Sequence, residues 1–266
     1  MNFIAKLRTV RRIGARKTLH IQCARWGIHT PWGDDPHGPL ARRELGLRYI
    51  RGRGIEIGAA ASPLSVSRKV KVAYVDRYSQ TEFTEYVHSA LFDGYDRKSV
   101  LAQAVRIDIA DDGETLATIG DETQDFVIAN HVLEHTQDPL GTLQNWFRVL
   151  KPGGVLFMAV PEKRLTFDAP RPVTPLSHLI DDHENGVARS RRQHFEEFSA
   201  LVRGVSPAEL EAFVEQSMTE DESIHFHVWT QVEILEMLLY LRRTVAFDIE
   251  LCGAMANEFT TIARKL

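Results

Sequence analysis

A chain of 266 residues with 44% hydrophobic and 26% charged side chains can bury a core of its own, which excludes disordered, collagen-like and coiled-coil classes. Its formal net charge of -4 argues against a general nucleic-acid binder, and no apolar run approaches the roughly 20 residues that span a bilayer. The two cysteines, Cys23 and Cys252, lie far apart without CxxC spacing, which suggests neither a zinc site nor a disulfide framework and fits a reducing cytoplasm.

The amino end is basic, with Lys6, Arg8, Arg11, Arg12, Arg16, Lys17 and Arg25 all preceding the first acid, Asp34. Residues 1–45 are open to three readings: a basic helical extension packed on the domain, an organelle-targeting peptide, or a surface for anionic lipid or substrate. After a turn-rich stretch at 31–39, residues 42–51 read as a short helix leading into a strand. Gly54-Ile55-Glu56-Ile57-Gly58 is an apolar run ended by glycine and followed by small residues, the pattern of a strand and a tight turn. β-Branched runs at 70–75 and 105–109 predict two further strands, the first closed by Asp76 and the second containing Asp108. The near-continuous apolar run at 125–130 predicts a fourth, buried on both faces. Leu140, Leu143, Trp146, Phe147 and Leu150 recur at helical spacing until Lys151-Pro152-Gly153-Gly154 stops the helix. A buried strand at 155–160 follows and ends at Pro161.

This alternation predicts an α/β fold, a doubly wound and mostly parallel sheet with helices on both faces, over residues 46–161. Residues 162–230 are polar and rich in Arg, His, Asp and Glu; they read as an inserted cap, helical only in patches such as 207–218. Thr230-Gln231-Val232-Glu233 has the form of a capping box and opens an apolar helix through Leu241. Strands at 245–251 and 259–263 can then pair as an antiparallel hairpin at the sheet edge, so that 231–266 complete the core.

Ligands of such sheets bind at the carboxyl ends of the strands, which makes the Glu56 to Gly58 turn, Asp76, Asp108 and Asn130-His131 the candidates. Asp76 follows the turn by roughly the 20 residues at which an acid meets a ribose hydroxyl, implying a nucleoside. The missing G-x-G-x-x-G and Walker lysine disfavour NAD and ATP. Each acid has a plainer use as a helix cap, and Gly58 as an ordinary turn.

Glu56-Ile57-Gly58-Ala59-Ala60, Val75-Asp76, Ile107-Asp108-Ile109, Asn130-His131-Val132-Leu133-Glu134-His135 and Leu150-Lys151-Pro152-Gly153-Gly154 resemble, in order, the motifs of class I S-adenosylmethionine-dependent methyltransferases. The resemblance covers residues 51–161. It implies a Rossmann-like seven-stranded sheet with an antiparallel edge strand, and S-adenosylmethionine as cofactor. Glu56, Gly58 and Ala59 would then sit at the methionine end, Asp76 and Arg77 at the ribose, Asp108 with Ile109 at the adenine, and Asn130 and His131 beside the sulfonium. The sequence departs from the family's E-x-G-x-G-x-G turn, of which only Gly58 is kept.

Methyl transfer asks the protein to align acceptor and methyl and to exclude water, and a hydroxyl acceptor also asks for a base. His131, directly after the fourth strand, is the first candidate for that base and His135 the second; the alternatives are a pocket-lining and a structural histidine. In the inserted segment, Arg164, Asp168, Arg171, His178, Asp182 and His183, with His225 and His227, suit a hydroxyl-rich substrate. A looser resemblance to methyltransferases encoded beside glycan-building enzymes suggests a sugar hydroxyl. The competing reading is a salt-bridged surface segment. Some sugar O-methyltransferases use magnesium, and Asp168, Asp181, Asp182 and Glu184 could supply oxygen ligands to Mg2+. His225 and His227 could also cluster with His183 or His194, although no ligand spacing is diagnostic. The expected partner is a small-molecule or saccharide substrate, with no nucleic acid and with a homodimer left open. A non-sugar acceptor and a non-catalytic cofactor-binding scaffold are the competing functions.

Overall fold

The computed structural model describes residues 39–89 and 96–266; the basic run from Lys6 to Arg25 lies outside them. In chain order, α1 (Pro39–Tyr49) precedes β1 (Arg53–Ile57), β2 (Lys71–Asp76), α2 (Gln80–His88), α3 (Arg97–Gln103), β3 (Ile109–Ala110) and β4 (Gln124–Asn130). A 3-10 turn, Leu133–His135, leads to α4 (Pro139–Val149) and β5 (Leu150–Pro161). A second 3-10 turn, Lys163–Leu165, is followed by α5 (Leu176–Asn185), α6 (Ala188–Leu201) and α7 (Leu210–Thr219). Last come α8 (Gln231–Leu241), β6 (Phe247–Met255) and β7 (Glu258–Lys265).

The strands form one seven-stranded sheet in the order β3-β2-β1-β4-β5-β7-β6. β1 pairs parallel with β2 and β4, and β4 parallel with β5, while β7 runs antiparallel between β5 and β6. The expected edge hairpin is present, and its inner arm is the reversed strand. The strand order turns back at β1 and β4, which places the carboxyl ends of those two strands at the switch point where open α/β sheets take their ligands.

Alternation along the central strands divides the core into two layers. Val127 and Ala129 of β4 and Leu156, Met158 and Val160 of β5 point to one face, where Leu140, Leu143, Trp146 and Phe147 of α4 and Ile234, Met237, Leu238 and Leu241 of α8 cover them. Phe126 and Ile128 of β4 and Val155 and Phe157 of β5 point to the other, against Leu45 and Tyr49 of α1 and Ile50. The helix ends follow local chemistry. Asp138 caps α4 by accepting from the Gly141 amide at 2.9 Å, with Pro139 in the first turn, and Thr230 with Glu233 forms the expected capping box of α8.

Three expectations change. The third strand is only Ile109–Ala110, so Asp108 stands before it instead of inside it. The family resemblance would place His135 inside the start of the following helix, but it ends a separate 3-10 turn that Thr136 breaks before α4. The inserted segment is helical through most of its length, because α6 and α7 bury Phe195, Phe198 and Val214 with Ile224 and Phe226 in a small apolar centre of their own.

Candidate active site

At the carboxyl end of β1, Glu56 is 1% exposed; its Oε1 accepts from the Leu64 amide at 2.8 Å and its Oε2 has no hydrogen-bond partner. Burial pushes this carboxyl up to about 7, against the lowering effect of the Leu64 hydrogen bond and the Arg42 charge. Asn130 ends the adjacent strand β4, where neither Oδ1 nor Nδ2 makes a well-formed hydrogen bond although both are buried. A carboxylate oxygen and a whole amide group, buried and unmet by protein, suit a ligand that brings its own donors and acceptors, such as an α-amino-acid group.

Gly58 closes the β1 turn at φ 63, a conformation glycine adopts without strain, while its amide donates to the Val75 carbonyl at 2.9 Å. A Cβ there would meet Val132 Cγ2 at 3.2 Å. Ala59 beside it is buried. Asp76 ends β2 with Oδ1 accepting from the Tyr78 amide at 3.1 Å, and burial raises its pKa. Glu56, Gly58, Asp76 and Asn130 therefore share the carboxyl edge of β1, β2 and β4.

Arg77 and Asp108 do not join them as expected. The Arg77 guanidinium pairs with Asp221 at 2.8 Å and stacks over Tyr78, tying the sheet edge to the end of α7. The Asp108 carboxylate accepts from the Tyr74 amide at 3.0 Å, which satisfies a donor that the two-residue β3 is too short to reach. Ile109 starts β3 opposite Val75, and the acid that follows the carboxyl end of β3 is Asp111, whose amide donates to the Asp76 carbonyl at 2.9 Å. The sequence reading did not single out Asp111, whose carboxylate accepts from the Asp112 amide at 2.8 Å and from the Thr118 amide and hydroxyl at 2.9 and 2.7 Å.

His131 follows β4 at φ 55, a left-handed conformation uncommon outside glycine, with its amide held by the Ala159 carbonyl at 2.8 Å. Its Nε2 lies 2.7 Å from Glu258 Oε2, and Glu258 Oε1 lies 3.0 Å from Arg42 Nε. Its Nδ1 is 3.6 Å from Glu134 Oε1, beyond hydrogen-bond distance. Burial acts to lower the His131 pKa, but the Glu258 hydrogen bond and the charges of Glu134 and Glu258 outweigh it and leave it raised. Glu134 is buried with both carboxylate oxygens unpartnered, and burial raises its pKa. His135 is different: its Nδ1 is bonded to the Ile224 carbonyl at 2.9 Å, and burial, with the His225 charge, lowers its pKa to about 3. It ties the turn after β4 to the extended segment before α8.

Glu258 and Arg42 were missed because no local motif marks either. One signal existed for Glu258. It opens the strand that runs antiparallel to β5, opposite Pro161, so a first residue lies beside the other strands' last ones.

Most residues named for substrate contact are engaged within the inserted segment. Arg171, fully buried, donates to Glu197, Asp168 and the carbonyls of His225 and Phe226 at 2.7 to 3.0 Å. Asp168 also takes His225 Nδ1 at 2.7 Å. His183 Nδ1 lies 2.8 Å from Asp138 Oδ2, and the exposed Arg164 pairs with Glu162 at 2.7 Å. Asp182 and His227 are buried with His178 beside them. Charge density that reads as a ligand surface is here the polar interior of a helical insertion, since interior charges must pair with one another. Nor do oxygens gather for magnesium. Asp181 is bonded to Asn185, Asp168 and Asp182 to nitrogen donors, and the side-chain clusters with ligand potential among the described residues are histidine-rich.

A doubly wound sheet reversed only at β7, with unmet polar groups at its switch point, defines a nucleoside-binding α/β enzyme core. The family model "Methyltransferase domain" matches residues 47–238, and the chain belongs to that family. It is an S-adenosylmethionine-dependent methyltransferase. The chain is similar in structure to a SAM-dependent methyltransferase from Aquifex aeolicus, at 14% identity and a TM-score of 0.45 over 89% of this chain and 94% of that one. It is also similar to one from Methanosarcina mazei, at 17% identity and a TM-score of 0.43 over 86% and 98%. No curated protein matches the sequence. Among the described residues, no helix is long and apolar enough to cross a membrane.

Proposed function

We propose that this enzyme O-methylates a hydroxyl of a sugar or another polyhydroxylated small molecule, with Glu56, Gly58, Asp76 and Asn130 holding the cofactor. The bound cofactor supplies a methyl group activated on a sulfonium. Unpartnered Glu56 Oε2 and Asn130 Oδ1 and Nδ2 fit its amino-acid end, and Asp76 fits its ribose. The observation that carries the choice of oxygen is the His131–Glu258 contact at 2.7 Å at the end of β4. With Nε2–H donated to Glu258, the lone pair of His131 is on Nδ1, the nitrogen left to take a hydroxyl proton, and Glu258 steadies the imidazolium that forms. An N-methyltransferase acting on a neutral amine has less need of such a pair. Support for a hydroxyl-rich acceptor comes from the polar rim, where Arg42, His131, Glu258 and Arg164 stand near the ends of β4 and β5.

Mass spectrometry of mono- and disaccharides incubated with labelled cofactor tests this reading. The expected product is a singly methylated sugar. His131→Ala should lower turnover by about 10²–10⁴-fold while keeping cofactor affinity. Methylation of non-sugar compounds alone removes the sugar, and full turnover by His131→Ala removes the base.

A further inference from the structure

Four potential ligand atoms converge inside the inserted segment, away from the His131 pair. His178 and Asp182 are four residues apart on one face of α5, α6 brings His194, and the extended segment before α8 brings His227. His178 Nε2 lies 3.1 Å from both Asp182 Oδ2 and His194 Nε2. His227 Nε2 lies 3.4 Å and His194 Nε2 4.0 Å from the same carboxylate oxygen. All four ligand atoms fall within 4.8 Å of one another. A tetrahedral zinc ion with bonds of about 2.0–2.1 Å needs ligand atoms about 3.3 Å apart. Three of the six edges of the observed set lie within about 0.2 Å of that, a fourth is 4.0 Å, and no edge exceeds 4.8 Å.

Hydrogen bonding within the protein does not account for this packing. His227 is fully buried, and both its nitrogens face acceptors: Nδ1 lies 3.1 Å from the Thr136 carbonyl and Nε2 faces Asp182. A neutral imidazole has one N–H and can serve only one of them, so one lone pair is left against another. A metal ion removes the conflict. Nδ1–H then donates to Thr136, which orients the ring, and the Nε2 lone pair is directed at the ion, the usual outer-shell arrangement of a metal-bound histidine. Asp182 is anchored in the same manner, since its Oδ1 accepts from Ser190 Oγ at 2.6 Å while Oδ2 faces the rings.

We propose that His178, Asp182, His194 and His227 form a closed, four-coordinate site for a divalent transition ion, zinc by its donor set, which fastens α5, α6 and the segment before α8 together. Three imidazoles and one carboxylate suit zinc and not the all-oxygen preference of magnesium. Because protein groups fill all four positions, the ion is structural and takes no part in methyl transfer. The second histidine cluster, Glu134 with His135 and His225, adjoins His131 and offers three ligands only.

Elemental analysis of the purified enzyme should find one zinc per chain, and cobalt(II) exchanged into it should give the intense visible bands of a tetrahedral ion. His194→Ala should lose the equivalent, His135→Ala should keep it, and a chelator should lower the thermal midpoint of the parent but not of His194→Ala. Should His194→Ala fail to fold, His178→Gln at the half-buried rim serves instead, and its metal should pass to a chromophoric chelator at least tenfold faster than the parent's. Protein that holds no zinc, takes up no cobalt and is indifferent to chelator overturns the proposal. So does metal retained by His194→Ala, or by His178→Gln with an unchanged release rate, or metal lost from His135→Ala alone.

Discussion

The carboxyl-edge cleft and the Arg171 network of the inserted segment both hold buried polar atoms, and they differ in how those atoms are met. Arg171 has no exposed side-chain surface and still places donors on two carboxylates and two carbonyls. Glu56 Oε2 and both polar atoms of Asn130 are as deeply placed and make no well-formed hydrogen bond, although the two side chains lie near enough to interact. Burial with full hydrogen bonding is what a fold needs to keep charge inside; burial without it leaves room for something that is not protein. The Arg171 network holds the insertion together, and the carboxyl-edge cleft is the region proposed to receive a ligand.

Replacing one residue of each kind should separate the two regions. Arg171→Met leaves Asp168 and Glu197 without their cation, and should cost about 3–5 kcal/mol in denaturant unfolding while folded molecules still bind cofactor. A loss below about 1 kcal/mol would mean that the saturated network is not structural. Glu56 tests the other side through pH. Its carboxyl sits at about 7 in the fold against an ordinary 4.5. The folded protein thus keeps a proton that the unfolded chain has released, and this group makes the ligand-free protein less stable as pH rises through that window. A cationic amino group that requires the carboxylate should bind about tenfold more weakly for each pH unit below about 7. Calorimetry across that range should show the slope, and Glu56→Gln should abolish it. Asn130→Ala should weaken cofactor binding by about three- to tenfold and change the thermal midpoint little, because it forfeits no well-formed hydrogen bond within the protein.

The same contrast explains what could be read from the residues alone. β1, β4 and β5 announce themselves, since strands buried on both faces are continuous apolar runs, here ended by Gly58, Asn130 and Pro161, and β2 is marked by its β-branched run closed by Asp76. The α8 capping box is equally local. β3 was expected at 105–109 and is Ile109–Ala110, four residues later at its start and one at its end, because a two-residue edge strand has almost no pattern. The His131 partner lies 127 residues away, a distance over which only strand order, not periodicity, carries information. The insertion was legible as polar and illegible as packed. Arg171 and Asp168 look alike in sequence whether they face a ligand or each other, and only coordinates distinguish the two.

The pH response of turnover sharpens the reading of His131. Its pKa is raised above the ordinary 6.5, with Glu258 as the leading contributor to the rise. If it acts as a base, activity should increase with pH through a value above that ordinary one. Glu258→Gln removes the charge and keeps a hydrogen-bonding atom, so the rising limb should move to lower pH while cofactor affinity is retained. An unmoved limb would detach His131 from proton transfer.

The smallest effect concerns the junction between the two regions. Trp229, which bridges to Glu162, is followed by Thr230, whose hydroxyl accepts from the Val232 amide at 3.3 Å while Glu233 takes the Thr230 amide at 2.9 Å. Thr230→Ala should cost about 1 kcal/mol of stability. It should leave cofactor affinity untouched, since α8 packs through Ile234, Met237, Leu238 and Leu241 onto the sheet face and not onto its carboxyl edge. A parallel fall in affinity would show that the end of the insertion and the cleft open together, and the division between a structural insertion and a separate cleft would then have to be given up at this seam.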